Sequence, residues 1–142
     1  MATVLIPDES PLCASFRDAG DMRDLYRVWA DGPVLRIDAR GRWPLQVAKA
    51  YDRDIRRIIA ACRLISPHLR VIADRSEIPS FDPGGHELLL ATYSEVLREG
   101  DRVALVVDSS VTKGHIRRIA GREETQAFLS LSAARTWVLA YG

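Results

Sequence analysis

Cysteine is scarce in this chain: Cys13 and Cys62 are the only two in 142 residues. They form no CxxC, and the three histidines, His68, His86 and His115, are scattered along the sequence. Neither a disulfide framework nor a zinc site is expected, and Cys62 reads as a small apolar residue on a helix face. No metal and no cofactor are expected. An excess of one charge is also lacking, with 20 Lys+Arg against 19 Asp+Glu and a net +1. That removes the surplus of cations that displaces phosphate counterions, so nucleic acid is not an expected partner. No run approaches the ~18–20 apolar residues of a membrane span, so no integral membrane insertion is expected. The first residues have no basic region, and Pro7, Asp8 and Glu9 stand where a signal peptide would be apolar. A secretory signal is not expected, and the reading is a bacterial, cytoplasmic protein. No nucleophile–base pair or carboxylate pair lies in a recognisable catalytic motif, so the chain is not expected to be an enzyme.

What is present is one domain's worth of ordinary globular composition, 47% hydrophobic and 27% charged. Residues 1–22 read as an N-terminal extension packed on a domain of residues 23–142. Tyr26–Ala30, Asp31-Gly32 and Pro33–Ala39 read as two strands joined by an Asp-Gly type I′ turn. Pro44 fits the first turn of a helix, and Val47, Tyr51, Ile55, Ile58, Ile59 and Cys62 recur along one face of it. Leu69–Asp74 is a short apolar strand. Asp82-Pro83 opens a second helix, Pro83 at its first position, with Gly100 as its stop. Arg102–Val107 lacks polar alternation, as a central strand covered on both faces does. A short helix over 112–120, a strand over 126–129 and a last helix capped by Ser132 follow. Strands alternating with helices after an initial hairpin predict an α/β fold with a mixed sheet.

The run Val71-Ile72-Ala73-Asp74, then Ile78-Pro79-Ser80-Phe81-Asp82-Pro83-Gly84-Gly85, resembles the central strand and signature loop of STAS (SpoIIAA-like, anti-sigma factor antagonist) domains. Gly41 after the hairpin, Gly100-Asp101 before the next strand, the stretch from Val111 to Gly121 and Ser132–Trp137 extend the resemblance over about residues 24–140. It implies the SpoIIAA-like fold, with helices packed on a mixed sheet. In that family the signature loop reads Asp-Ser-Ser-Gly, and its second serine is the phosphoacceptor. Here that position is Gly84 and the preceding one Pro83, so the loop carries no hydroxyl to phosphorylate. The resemblance thus implies a variant without the usual switch.

The candidate binding or partner loop is Asp82, Pro83, Gly84, Gly85 and His86. Two glycines let a partner approach the backbone, and a helix start offers free amide donors, although Asp82 itself can cap them. Ser80, Ser109 and Ser110 are its candidate neighbours, the last two reading first as turn or capping residues. Lys113, Arg117, Arg118 and Arg122 form a basic patch with no acid among them, read first as a solvated helix face. Trp29, Trp43 and Trp137 read as packing residues. The expected function is a non-catalytic regulatory or protein-interaction domain; the alternative is a small-molecule or lipid-binding protein of the same fold. A homodimer is expected if residues 1–22 leave the first hairpin strand as a bare sheet edge.

Overall fold

The computed structural model describes residues 3–5, 13–17, 24–78, 83–120 and 123–140. The elements run β1 (Thr3–Leu5), β2 (Ala14–Arg17), β3 (Asp24–Asp31), β4 (Val34–Arg40), α1 (Leu45–Arg63), β5 (Arg70–Glu77), α2 (Pro83–Val96), β6 (Arg102–Val106), α3 (Ser110–Ala120), β7 (Thr125–Phe128) and α4 (Leu131–Leu139). All seven strands lie in one sheet in sequence order. β1 to β4 pair antiparallel, and β4 to β7 pair parallel. β2 therefore covers the edge of β3, and β1 covers β2.

This order dictates the layers. Each parallel connection steps the same way across the sheet, and right-handed crossovers then put α1, α2 and α3 on one face. The core divides accordingly. Leu35, Ile37, Val71, Ala73, Val103 and Leu105 pack with Val47, Ile55, Ile58, Tyr93 and Ile116 on that face. The alternate residues Val34, Ile72, Ala104 and Val106 pack on the other face with Ala134 and Val138 of α4. β6 is thus apolar on both faces, as its lack of alternation predicts. Truncating a buried α1 side chain such as Ile58 to Ala removes about 2–5 kcal/mol of this packing.

Three local expectations shift. Asp31 pairs with Val34, so the hairpin turn is Gly32-Pro33 rather than Asp31-Gly32. Gly32 takes φ +61°, and the proline ring cannot follow it to positive φ, which excludes type I′ and fits type II′. α4 is capped by Ser130, whose hydroxyl accepts from Ala133 N–H at 3.1 Å, and Ser132 lies inside the helix. α2 ends at Val96, and Gly100 at φ +93° is instead the third residue of a turn closed by Asp101 N–H to Arg98 C=O at 3.0 Å.

An aromatic cluster joins β2, β3 and α1. The Tyr26 ring lies 5.9 Å from Phe16, 5.5 Å from Trp43 and 5.3 Å from Tyr51. Its hydroxyl donates to the buried carboxylate of Asp54 on α1 at 2.6 Å. Arg63 at the end of α1 makes a two-pronged ion pair with Asp101, tying that helix to the start of β6.

Candidate functional site

Because β4, β5 and β6 are parallel, their ends share one edge of the sheet, where α/β folds place their ligand-facing turns. α2 opens at this edge with Pro83 as its first residue, as the Asp-Pro pattern predicts. Of the candidate loop, Pro83, Gly84, Gly85 and His86 form the first turn of α2, while Asp82 and Ser80 lie outside the described residues. α3 opens at the same edge. Ser109 caps it, accepting from Thr112 N–H at 3.2 Å and donating to Thr112 Oγ1 at 3.1 Å. Thr112 in turn reaches Asp108 at 3.3 Å. The Ser109 hydroxyl is therefore engaged in capping, as its first reading predicts, and Ser110 is the exposed first residue of the helix. The fold thus brings Ser109 and Ser110 to the edge where α2 begins.

Polar side chains are buried near the β5 end of this edge. Arg75 on β5 is only 3% exposed, its guanidinium 5.9 Å from the Trp43 ring. The hydroxyls of Tyr51 on α1 and Tyr93 on α2 meet at 3.1 Å. Burial pushes Tyr51 up to about 12, and burial together with Tyr51 pushes Tyr93 well above 10. Both phenols stay protonated at neutral pH, so this pair holds α1 to α2 and supplies no base.

On the sheet face opposite α1, a cleft of about 340 Å³ opens beside the ends of β4 and β5. Asp24, Arg27, Asp38, Arg40, Asp74 and Glu77 line it. Asp38 and Asp74 are registered partners on neighbouring strands. Burial, helped by the Asp74 charge, raises the Asp38 pKa against the pull of Arg36 and Arg27. Asp74 accepts from the Ser76 amide at 3.0 Å and the Ser76 hydroxyl at 2.7 Å. No group of three or more metal-ligating side chains occurs among the described residues. The cleft offers ion-pair partners of both signs. Sequence reasoning missed it because parallel pairing alone sets Asp38 beside Asp74; the available signal was that each breaks an apolar strand run.

The basic patch lies on α3, away from this cleft. Arg117 and Arg118 are exposed in its last turn, where they complement the helix dipole, and Lys113 is half-buried. Arg122 lies outside the described residues. The tryptophans occupy three separate places. Trp43 joins the aromatic cluster and Trp137 packs on Phe128, while Trp29 lies beneath the guanidinium groups of Arg27 and Arg36.

No protein-family model matches the chain, and no curated protein matches it. Among solved structures it is similar to an anti-sigma factor antagonist from Mycobacterium paratuberculosis. The two are 22% identical with a TM-score of 0.60, over 78% of this chain and 90% of that one. The fold is thus the SpoIIAA-like STAS fold that the ordered motifs imply.

Proposed function

We propose that this chain is a non-catalytic STAS-type regulatory domain of the bacterial cytoplasm that binds a protein partner through Asp82–His86 and the first turn of α2. One observation carries the reading: the chain shares its fold with an anti-sigma factor antagonist. The start of α2 at the C-terminal edge of the parallel strands supports that reading, since α/β folds carry their ligand-facing turns there. Gly84 has no hydroxyl, so binding here is not switched by phosphorylation at that position. The test uses the full chain as bait in its native host, beside Gly84→Arg and Gly85→Arg variants whose thermal melts match the parent. A protein retained by the parent and lost from both variants supports the reading. Equal retention by all three places the interface elsewhere, and no retained protein removes the regulator.

The second reading, a small-molecule or lipid-binding protein of the same fold, draws on a separate feature. An apolar groove of about 280 Å³ lies at the opposite edge of the parallel strands, between the hairpin turn and the end of α1. It competes with the α2 surface for no residue. Native mass spectrometry of gently isolated protein tests it: an added mass supports a carrier, and a clean apo mass counts against one.

A further inference from the structure

We propose that this groove binds a free amphipathic monocarboxylate, its alkyl tail along Val34, Leu35, Cys62, Ile65 and Leu69 and its head on Arg70. The proposal rests on the second reading above and names its ligand. The groove is closed on one side by Gly32-Pro33 and the start of β4, and on the other by the last turn of α1 and the chain leading to β5. Its wall is mostly apolar. Ile65 lines it and stands 75% exposed, and its chain neighbour Leu64 is 90% exposed. A lone exposed Leu is unremarkable, but two in succession beside an apolar groove extend the surface that a hydrocarbon tail would cover.

The head-group chemistry follows from Arg70. Among the described residues it is the one Lys or Arg lining the groove, and no acid lines it. Its Nη1 donates to the carbonyls of Leu69 at 3.0 Å and Gly100 at 2.8 Å, which fixes the guanidinium in place. Those two bonds are all it makes among the described residues. Its Nε is shielded from solvent and has no partner. Nη2 makes no bond among the described residues, and that donor, rather than the sealed Nε, is left for a ligand oxygen. A single guanidinium suits a single negative charge rather than a dianion. A membrane surface would call for a cluster of cations, and among the described residues the lining holds one Lys or Arg.

The test is calorimetric titration of the full chain with sodium decanoate below its micelle concentration, with decanol as the neutral probe, and amide chemical-shift mapping in parallel. Expected are one decanoate site at least tenfold tighter than decanol, and shifts gathered on residues 30–35 and 62–70. Arg70→Gln lowers decanoate affinity at least tenfold and leaves decanol unchanged. Ile65→Asp, at a position 75% exposed, weakens both. Equal affinity for the two probes, or indifference to Arg70→Gln, overturns the carboxylate while a carrier survives. Absence of shifts in the groove with either probe removes both. Flotation of the protein with phosphatidylglycerol vesicles, in place of binding free decanoate, overturns the free ligand in favour of a membrane lipid.

Discussion

Asp101 precedes β6 with its side chain wholly out of solvent, and each of its oxygens is occupied by two donors. Oδ1 accepts from Arg63 Nη1 at 3.0 Å and the Leu69 amide at 2.8 Å. Oδ2 accepts from Arg63 Nη2 and from the Arg98 amide, both at 2.7 Å. Asp101→Asn preserves the shape and replaces one oxygen with an NH₂ group. Whichever way the amide turns, that NH₂ faces an arginine donor and a backbone donor. A shielded donor left without an acceptor costs about 1–3 kcal/mol, and deleting one charge of a buried ion pair costs about 3–5 kcal/mol. Arg63 keeps its bonds to the Val96 carbonyl at 2.8 Å and the Pro67 carbonyl at 3.3 Å, which holds the loss toward the lower end. We expect a loss of about 3 kcal/mol, read as a lower denaturant midpoint at unchanged slope. The melting temperature should fall by about 10 °C at this chain length. A pH series adds a second readout. Burial alone would raise the Asp101 pKa, but the Arg63 bonds and the two backbone amides hold it below its ordinary 3.8. Its contribution is therefore complete above the unfolded carboxyl's value and is lost as pH falls through the lower folded one. The gap between parent and variant should be full at pH 7 and close progressively below about pH 4. A variant within about 1 kcal/mol of the parent at pH 7, outside the range for an unpaired buried charge, refutes this account. So does a gap that persists unchanged into strong acid.

Tyr26→Phe removes the 2.6 Å bond to the buried Asp54 carboxylate, leaving it the more distant Arg53 and Arg57 at 3.7 and 4.0 Å. Denaturant melts should show a loss of about 2 kcal/mol, and no loss would mean that Asp54 is satisfied elsewhere. Gly100→Ala meets two obstacles, a φ of +93° and a Cβ only 2.5 Å from the His68 ring. It should destabilise by about 1–3 kcal/mol; adding His68→Ala should recover part of this, because the ring can move and the backbone strain cannot. Full recovery would place the whole cost in the ring. Tyr51 and Tyr93 hold their protons more tightly folded than unfolded, Tyr51 to about 12. Their contribution is whole up to about pH 10 and lost as pH rises through the folded values, so tyrosinate absorbance from this pair should appear only with unfolding. Two ordinary titrations near pH 10 in folded protein would contradict the buried pair. A chain beginning at residue 19 loses β1 and β2 and bares the edge of β3. Light scattering should then show association, and a stable monomer would show that β3 does not need the cover.

The parts of the fold legible in the sequence are those set by neighbours in the chain. The α1 face, the Asp-Pro opening of α2, the Ser109 cap and the unbroken apolar run of β6 each depend on residues a few positions apart. The hairpin was legible in place and off by one residue in its turn, because Asp-Gly and Gly-Pro compete over Asp31-Gly32-Pro33 and only the register of β3 on β4 decides between them. The strands in residues 1–22 were not legible: β1 and β2 are three and four residues long, too short for a periodic signal. Buried charge was the largest omission. Asp54, Arg75 and Asp101 look like surface residues in sequence, and for Asp54 and Asp101 the groups that reward burial come from 28 and 38 residues away. At the candidate site the start of α2 was placed by local chemistry, whereas the Asp38–Asp74 pairing and the groove at Arg70 arise only when the sheet closes.

The sequential strand order also explains why both proposed surfaces lie at edges rather than on a face. Three crossovers in one direction commit α1, α2 and α3 to one side, and α4 covers Val34, Ile72, Ala104 and Val106 on the other. Beyond Val34, which α4 covers, the same face of β3 and β4 carries Arg27, Trp29, Arg36 and Asp38. Trp29 would be an aggregation liability on a bare sheet. Here Arg27 and Arg36 lie 4.6 and 5.1 Å from its ring, and Arg36 also pairs with Asp31 and Asp38 at 3.8 and 3.6 Å. Each cation–π contact contributes about 0.5–1 kcal/mol at an exposed site, enough to keep the ring covered by charge. An apolar partner would have to displace those guanidinium groups before reaching the indole. Among the described residues the end of α1 has no such cover: Leu64 and Ile65 stand bare to solvent, so a ligand meets them without first breaking an ion pair.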